Sequence, residues 1–399
     1  MAKGNLAAST ADFLQWAKKG QSFLANLQMR VNEPSKERQM RDFRMKEVLE
    51  LTGLKHHAWR SWIAANAPGP AGEVRLTLEQ VHQFMADHGK RPSRPEGAGP
   101  MRLGVATLKG GAAKTITCLH LAHAFAIRGY RVLLIDGDPQ GTLTTLCGIR
   151  AETVDPESTL AAVFDRVNSP DLFDQPALKP QKTHINGLDF IPATLQMINS
   201  DFTIASAFLD PRNRSVAQRF YTVLDDELKH VEQDYDIVLL DTSPSFSYVG
   251  LSIMWAAHGL IIPMQPSLPD YRATLDFAEM FGQNIGSIER SARVTREWNP
   301  VAVVHTRVDN TPKAEQTTAL VRSFSVNTFF EHRLDVHIPH SQAVISATSQ
   351  FRSVYEMKGG EVRKVRDSFD ALASRVLAAV HEVWNNQVGA NEPETATAP

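Results

Sequence analysis

Two lysines and a hydroxyl residue lie close together in the run ATLKGGAAKTIT, Ala106 to Thr117: Lys109 precedes Gly110 and Gly111, and Lys114 precedes Thr115. Glycines ahead of a lysine and a threonine suit a polyphosphate, because an ammonium neutralises phosphate oxygens and a hydroxyl can ligate the Mg²⁺ that accompanies them. The generic phosphate loop, G-x-x-x-x-G-K-[ST], asks for glycines where this chain has Leu108 and Ala113. The loop thus departs from that template while keeping its cationic end. Carboxylates suited to a metal and an attacking water follow: Asp136 and Asp138 in RVLLIDGDPQG, and Asp241 in YDIVLLDTSPS.

Local patterns say what must position these groups. MRLGVAT, from Met101, reads as a strand, and Ile116, Leu119, Ala122 and Ala126 mark a helix that stops at Gly129. The loop therefore joins a strand to a helix N-terminus, where backbone N–H groups and the helix dipole favour phosphate. Five more apolar runs alternate with helical stretches: YRVLLID, LDFIPA, YDIVLLD, GLIIPM and PVAVVHT. Such alternation predicts a mostly parallel sheet with helices on both faces, an α/β class. In an open parallel sheet the carboxyl ends of the strands face the ligand crevice, so Asp136, Asp138 and Asp241 are expected to gather near the phosphates.

The order K-G-G-x-x-K-T, then D-x-D-P-Q, then an apolar strand ending D-T-x-P resembles the deviant Walker ATPases of the ParA/MinD family. It spans Lys109 to Pro244, and the similarity continues through IPHSQAVISA and SVYE near residues 338 to 356. The resemblance implies a P-loop ATPase that binds ATP and Mg²⁺ and works as a homodimer. Position by position it makes Lys114 the phosphate lysine, and it makes Lys109 the lysine that reaches the partner's phosphates, a role comparable to an arginine finger. Asp138 would position the attacking water. Thr115 and Asp241 would hold Mg²⁺, Asp241 through water, and Asp136 would support the switch segment beside the metal. The loop residues Gly110, Gly111, Ala112, Ala113 and Ile116 would complete the nucleotide site, and Ala112, Ala113 and Ile116 depart from the commonest form K-G-G-V-G-K-T-T. A Cβ at Ala113 makes a changed affinity or turnover an expectation to test. TRVDNTP, Thr306 to Pro312, is a reasonable place for contacts to the base.

Ahead of this domain, Phe43 to Asn66 reads as two short helices across a Thr52-Gly53-Leu54 turn, with Val48 and Leu51 on the first and Trp59, Trp62 and Ile63 on the second. That spacing is a helix-turn-helix signature, and EVRL behind it could form a wing strand. TLEQVHQFM opens with Thr77 and Gln80 in capping-box spacing. An ordinary helical hairpin fits the same pattern. The resemblance to long, plasmid-type ParA proteins implies an operator-binding module, with Lys55, His56, His57 and Arg60 facing DNA. Earlier still, Phe13, Trp16, Gly20, Phe23 and Leu27 recur at helical spacing, suiting either pairing with a second copy or burial against the following module. The domains expected are a dimerisation helix over 1–40, a winged helix-turn-helix over 41–86, a Pro/Gly-rich linker over 87–100, the ATPase over 101–388 and a polar tail over 389–399.

The whole chain has 399 residues, 43% of them hydrophobic, and a formal charge of −2, so any nucleic-acid contact must come from local patches. Its two cysteines, Cys118 and Cys147, make neither a zinc cluster nor a disulfide scaffold. No apolar run reaches the roughly 20 residues needed to span a bilayer, and there is no signal pattern, so a cytoplasmic, nucleoid-associated protein without a membrane is expected. Val365, Phe369, Leu372, Val376, Val380 and Val383 form one stripe near the end, expected to pack on the chain's own domain. The family resemblance further implies nonspecific DNA binding through basic residues, with Arg352 preferred over Arg322, Arg363, Lys364 and Arg366, and a ParB-type partner that stimulates hydrolysis. A repressor using nucleotide only as a ligand, a MinD-like membrane-cycling ATPase and a nitrogenase-type reductase are the alternatives, the last lacking its cluster cysteines.

Overall fold

The computed structural model describes residues 10–31, 38–67, 73–150, 153–166, 176–212, 218–309 and 311–391. The chain divides into two compact units, Met1–Gln39 and Met40–Pro399. The first contains helix α1 (Thr10–Val31), on which Phe13, Trp16 and Phe23 are exposed.

In the second unit the apolar runs become the predicted sheet. Strands β3 (Met101–Val105), β4 (Val132–Gly137), β6 (Leu188–Ile191), β7 (Ile237–Thr242) and β8 (Gly259–Met264) are buried at every residue, as a sheet covered on both faces requires. Together with β9 (Val301–Val308), they are flanked by β10 (Arg333–Pro339) at one edge and β5 (Gln181–Lys182) at the other, in the order β10-β9-β8-β3-β7-β4-β6-β5. All pairs are parallel except β5 with β6. Chain order reverses around β3, between β7 and β8, and the crevice beyond its carboxyl end is where such sheets bind ligands. The register puts Asp241 directly beside Val105 of β3 and Asp136 of β4, so the two carboxylates come from adjacent strand ends. Neither edge strand stood out as an apolar run. β10, RLDVHIP, alternates polar with apolar residues because it is only half-buried.

The front module begins with a two-stranded ribbon, β1 (Phe43–Arg44) against β2 (Arg75–Leu76), so the end of the EVRL run is a strand. Helix α2 (Met45–Thr52) ends at Gly53, whose φ of 67° lies in the left-handed region and lets the chain turn into α3 (His56–Asn66). Helix α4 (Leu78–Asp87) carries the capping box foreseen: Gln80 N–H donates to Thr77 Oγ1 at 3.3 Å, and Thr77 N–H to Gln80 Oε1 at 3.0 Å. Trp59 and Trp62 meet Phe84 edge-on, centroids 6.0 and 5.5 Å apart, and these rings are buried.

This module packs on the sheet domain rather than hanging from a loose tether. His82 is bonded through its two ring nitrogens to Asn186 Oδ1 (2.6 Å) and the Ala126 carbonyl (2.8 Å). The Pro/Gly-rich segment 87–100 is held along its length. Arg91 Nε donates to the Gly129 carbonyl, Arg94 N–H to Asp236, and Trp384 Nε1 to the Gly99 carbonyl. The helix Gly360–Asn391 buries Val365, Phe369, Leu372, Val376 and Val380 against the domain, with Val383 partly buried beside them, and it runs past residue 388. Residues 392–399 of the expected polar tail lie outside the described residues. No described helix is long and apolar enough to cross a membrane.

Candidate nucleotide site

The loop after β3 turns through two left-handed residues. Gly111 has φ 80°, and Ala113, immediately before helix α5 (Lys114–Ile127), has φ 67° and ψ 28°. A glycine adopts that conformation freely, whereas alanine pays roughly 1–2 kcal/mol for its Cβ. Three side chains from distant segments, two on β9 and one just after β8, fix the loop in place. Thr306 Oγ1 donates to the Ala112 carbonyl (3.1 Å), while Gln265 Nε2 (3.1 Å) and Arg307 Nη1 (3.0 Å) both donate to the Gly111 carbonyl. Ala112 is itself buried and contributes backbone alone.

Beside the loop lies a cavity of about 610 Å³, within the size range of nucleotide sites. Gly110, Gly111, Ala113, Lys114, Thr115 and Ile116 line one wall, with Asp138 and Pro244 nearby. The opposite wall comes from Thr306, Arg307 and the segment from Ile338 to Ser349, which holds the IPHSQAVISA run. Lys114 is buried, its Nζ 3.3 Å from the Lys109 carbonyl, and burial lowers its pKa against the opposing pull of Asp241 and Asp138. A buried ammonium with a single carbonyl acceptor is poised to receive anionic oxygens.

The carboxylates divide by environment. Asp136 is fully buried, and both of its oxygens are used: Oδ1 accepts from Asp138 N–H (3.1 Å), and Oδ2 from Thr144 N–H (2.8 Å) and Thr144 Oγ1 (2.7 Å). Burial pushes its pKa up to about 6 in spite of those donors. Its geometry is that of a brace under the 138–144 segment. Asp241 is equally buried, yet neither oxygen has a hydrogen-bond partner. Burial and the neighbouring Asp136 hold its pKa well above the carboxylate range, with Thr115 and Lys114 pulling the other way. An orphaned carboxylate beside a threonine hydroxyl is a fitting pair of ligands for a hard cation, once phosphate oxygens and water supply the rest. Among the described residues no three His, Cys, Asp or Glu side chains converge on a metal, so the protein alone does not furnish a complete cation site.

Asp138 lines the cavity, its Oδ1 accepting from Gln140 N–H at 2.9 Å. Lys109 points elsewhere: its Nζ is 2.6 Å from Asp270 Oδ2, at the start of the helix Leu268–Ala292. Neither Asp270, Gln265 nor Arg307 stood out from sequence, although Arg307 lies in the loop marked for base contacts. The basic candidates form two groups. Lys55, His56, His57 and Arg60 are exposed together on α3 and the residue before it, and half-buried Arg352 follows the separate helix Gln342–Ser349.

Residues 102–290 match the family model described as an AAA domain. A candidate replication protein A of Sinorhizobium fredii is 25% identical over 382 residues, covering 91% of each chain. SopA of Escherichia coli K12 is 28% identical over 277 residues, covering 67% of this chain and 69% of its own. The chain is similar to partition proteins of the ParA/MinD family. A solved structure described as a partition protein shares the fold with a TM-score of 0.56 at 18% identity, covering 93% of this chain and 99% of that one.

Proposed function

We propose that this chain is a ParA-type partition ATPase that segregates a plasmid or a secondary chromosome. One observation carries the reading: Lys114 and Thr115 at the start of α5 and Asp138 after β4 line one nucleotide-sized crevice, and the orphaned Asp241 at the end of β7 is buried beside Lys114 and Thr115. ATP lies with its phosphates against the loop and the N-terminus of α5, where Lys114 regains the anionic partners that burial denied it. Thr115 and Asp241 would hold Mg²⁺, which would supply charge neutralisation for phosphoryl transfer. Asp138 orients the attacking water, and Asp136 holds the 138–144 segment that carries it. Lys109 leaves Asp270 and reaches the partner's phosphates, so the ATP-bound state is a dimer.

In that state the dimer coats nucleoid DNA through basic residues that include Arg352. A ParB-type protein at a centromere triggers hydrolysis and release. Without ATP, α3 presents Lys55, His56, His57 and Arg60 to operator DNA and the protein represses its own operon. The exposed Phe13, Trp16 and Phe23 of α1 suit pairing with a second copy over a two-fold operator. The test is ATP turnover with and without nonspecific DNA and the cognate partner. Turnover that rises with both and vanishes in Asp138→Ala is expected; unstimulated turnover indifferent to that change leaves a nucleotide-liganded repressor.

A further inference from the structure

A second, larger hollow lies where the front module meets the ATPase domain. It measures about 870 Å³ and shares no lining residue with the nucleotide cavity. Its described lining residues include nine Lys or Arg against five Asp or Glu, an excess that the net charge of −2 for the whole chain gives no reason to expect.

Three arginines from three elements line this groove: Arg41 just before β1, Arg128 at the end of α5, and Arg366 of the helix Gly360–Asn391. Two are already partly satisfied. Arg41 pairs with Glu47 at 2.7 Å, and Arg128 donates through Nη2 to the Asp370 carbonyl and Ser374 Oγ. One further donor on each is not: Arg41 Nε and Arg128 Nη1 are buried without an acceptor, although Arg128 Nη2 also lies 3.8 Å from Asp370 Oδ1, and the side chains are only 10% and 20% exposed. A buried guanidinium N–H left unpaired is costly, and an anion entering the groove would relieve it. The repulsion runs the same way, since burial and the charge of Arg366 both lower the pKa of Arg41.

The rim indicates the kind of anion. On one side Arg44 and Arg75 are paired across the wing, and on the other Lys358 and Arg363 belong to the ATPase domain; all four are exposed. Positive charge on both lips of an open groove suits an extended chain of phosphates better than a single small ion. The wing lip belongs to the same module as α3.

We propose that this groove binds the phosphodiester backbone of operator DNA, so that the ATPase domain itself forms part of the operator-binding surface. The proposal rests on the reading of α3 as an operator-binding helix. It also places the two phosphate sites at opposite ends of α5, which begins at Lys114 and ends against Arg128.

The test measures binding of the full chain to a duplex taken from the DNA immediately upstream of its own gene, by fluorescence anisotropy across a salt series. The variants are Lys358→Ala with Arg363→Ala on the exposed rim, Arg366→Ala in the groove, and Arg60→Ala on α3 as a control. Losing two phosphate contacts reduces the salt slope by about 2 and weakens binding on the order of 30-fold at 0.15 M salt. Basal ATP turnover stays unchanged, which verifies the fold. Unaltered affinity and slope in the rim and groove variants, with binding lost in Arg60→Ala, overturn the groove and leave the operator reading standing. No binding by the unaltered protein overturns both. If inorganic phosphate raises the thermal midpoint of the unaltered protein but not of the rim variant, while their DNA affinities are equal, the ligand is a small anion and DNA is refuted.

Discussion

Ala113 stands in a left-handed conformation that most side chains avoid, and replacing it with glycine removes the strain without removing a contact the loop depends on. Alanine at φ 67° costs roughly 1–2 kcal/mol relative to an unstrained residue. Glycine gives back about 0.4–1 kcal/mol of this through the greater freedom of the unfolded chain. Ala113→Gly should therefore be more stable by about 0.5–1 kcal/mol. The loop keeps its shape in the variant, because Thr306, Gln265 and Arg307 hold the carbonyls of Gly111 and Ala112 rather than the methyl group. Equilibrium urea unfolding of the nucleotide-free protein measures the difference as a raised midpoint at unchanged slope. ATP affinity should shift by less than about threefold, since the strain is present before nucleotide binds and a difference below ~0.6 kcal/mol stays under that factor. The companion variant Ala113→Val should lose more stability than glycine gains, a β-branched residue being worse still at positive φ. A midpoint that falls in Ala113→Gly refutes the reasoning, for it means that the methyl packs more favourably than its backbone costs. A tenfold gain in ATP affinity refutes it differently, by showing that the loop adopts the left-handed turn only on binding.

Three further outcomes follow from the site and the core. The folded pKa of Asp241 lies well above its unfolded value near 4, so the stability this group contributes is full below about pH 4 and is lost as pH rises through the folded value. Asp241→Asn should raise the thermal midpoint of the nucleotide-free protein at pH 8 and flatten its pH dependence most above about pH 7, where Asp136, with its pKa of about 6, is largely ionised, while abolishing the extra stabilisation by Mg²⁺ with ATP. Asp270→Asn frees Lys109 from its ion pair, and sedimentation velocity with ATP should show dimerisation about fivefold easier per protomer, the equivalent of ~1 kcal/mol for a partly exposed pair. Phe84→Ala, at a fully buried ring between Trp59 and Trp62, should cost about 3–5 kcal/mol in chemical denaturation. Because that ring belongs to the same apolar cluster as Phe125 and Trp384, the front module and the ATPase core should lose structure in one transition.

What could be read from the amino-acid order was whatever has a local signature. Six of the eight sheet strands announce themselves as short apolar runs, since strands buried on both faces have no reason to alternate. The half-buried edge strand β10 and the two-residue β5 do not, and both were found only in the folded chain. Lys114 and Thr115 were legible because strand, glycine turn and helix follow one another within a few residues. Their carboxylate partners were legible because each ends a recognisable strand. The turn at Gly53 and the Thr77–Gln80 cap were legible for the same reason.

Contacts between residues far apart in the chain leave no such trace, and they decided the rest. Lys109 and Asp270 meet 161 positions apart, and Arg307 reaches Gly111 across 196. Asp136 and Asp241 look alike in sequence, each closing an apolar strand. Only the fold gives one a set of donors from Thr144 and Asp138 and leaves the other bare. The basic groove assembles Arg41, Arg128 and Arg366 from three elements, and although Arg363, Lys364 and Arg366 cluster in the sequence, nothing there says that Arg41 and Arg128 join them. Periodicity and motif spacing record which groups the chain can offer. Burial and neighbouring charge, which set what those groups do, arise only when distant segments are packed together.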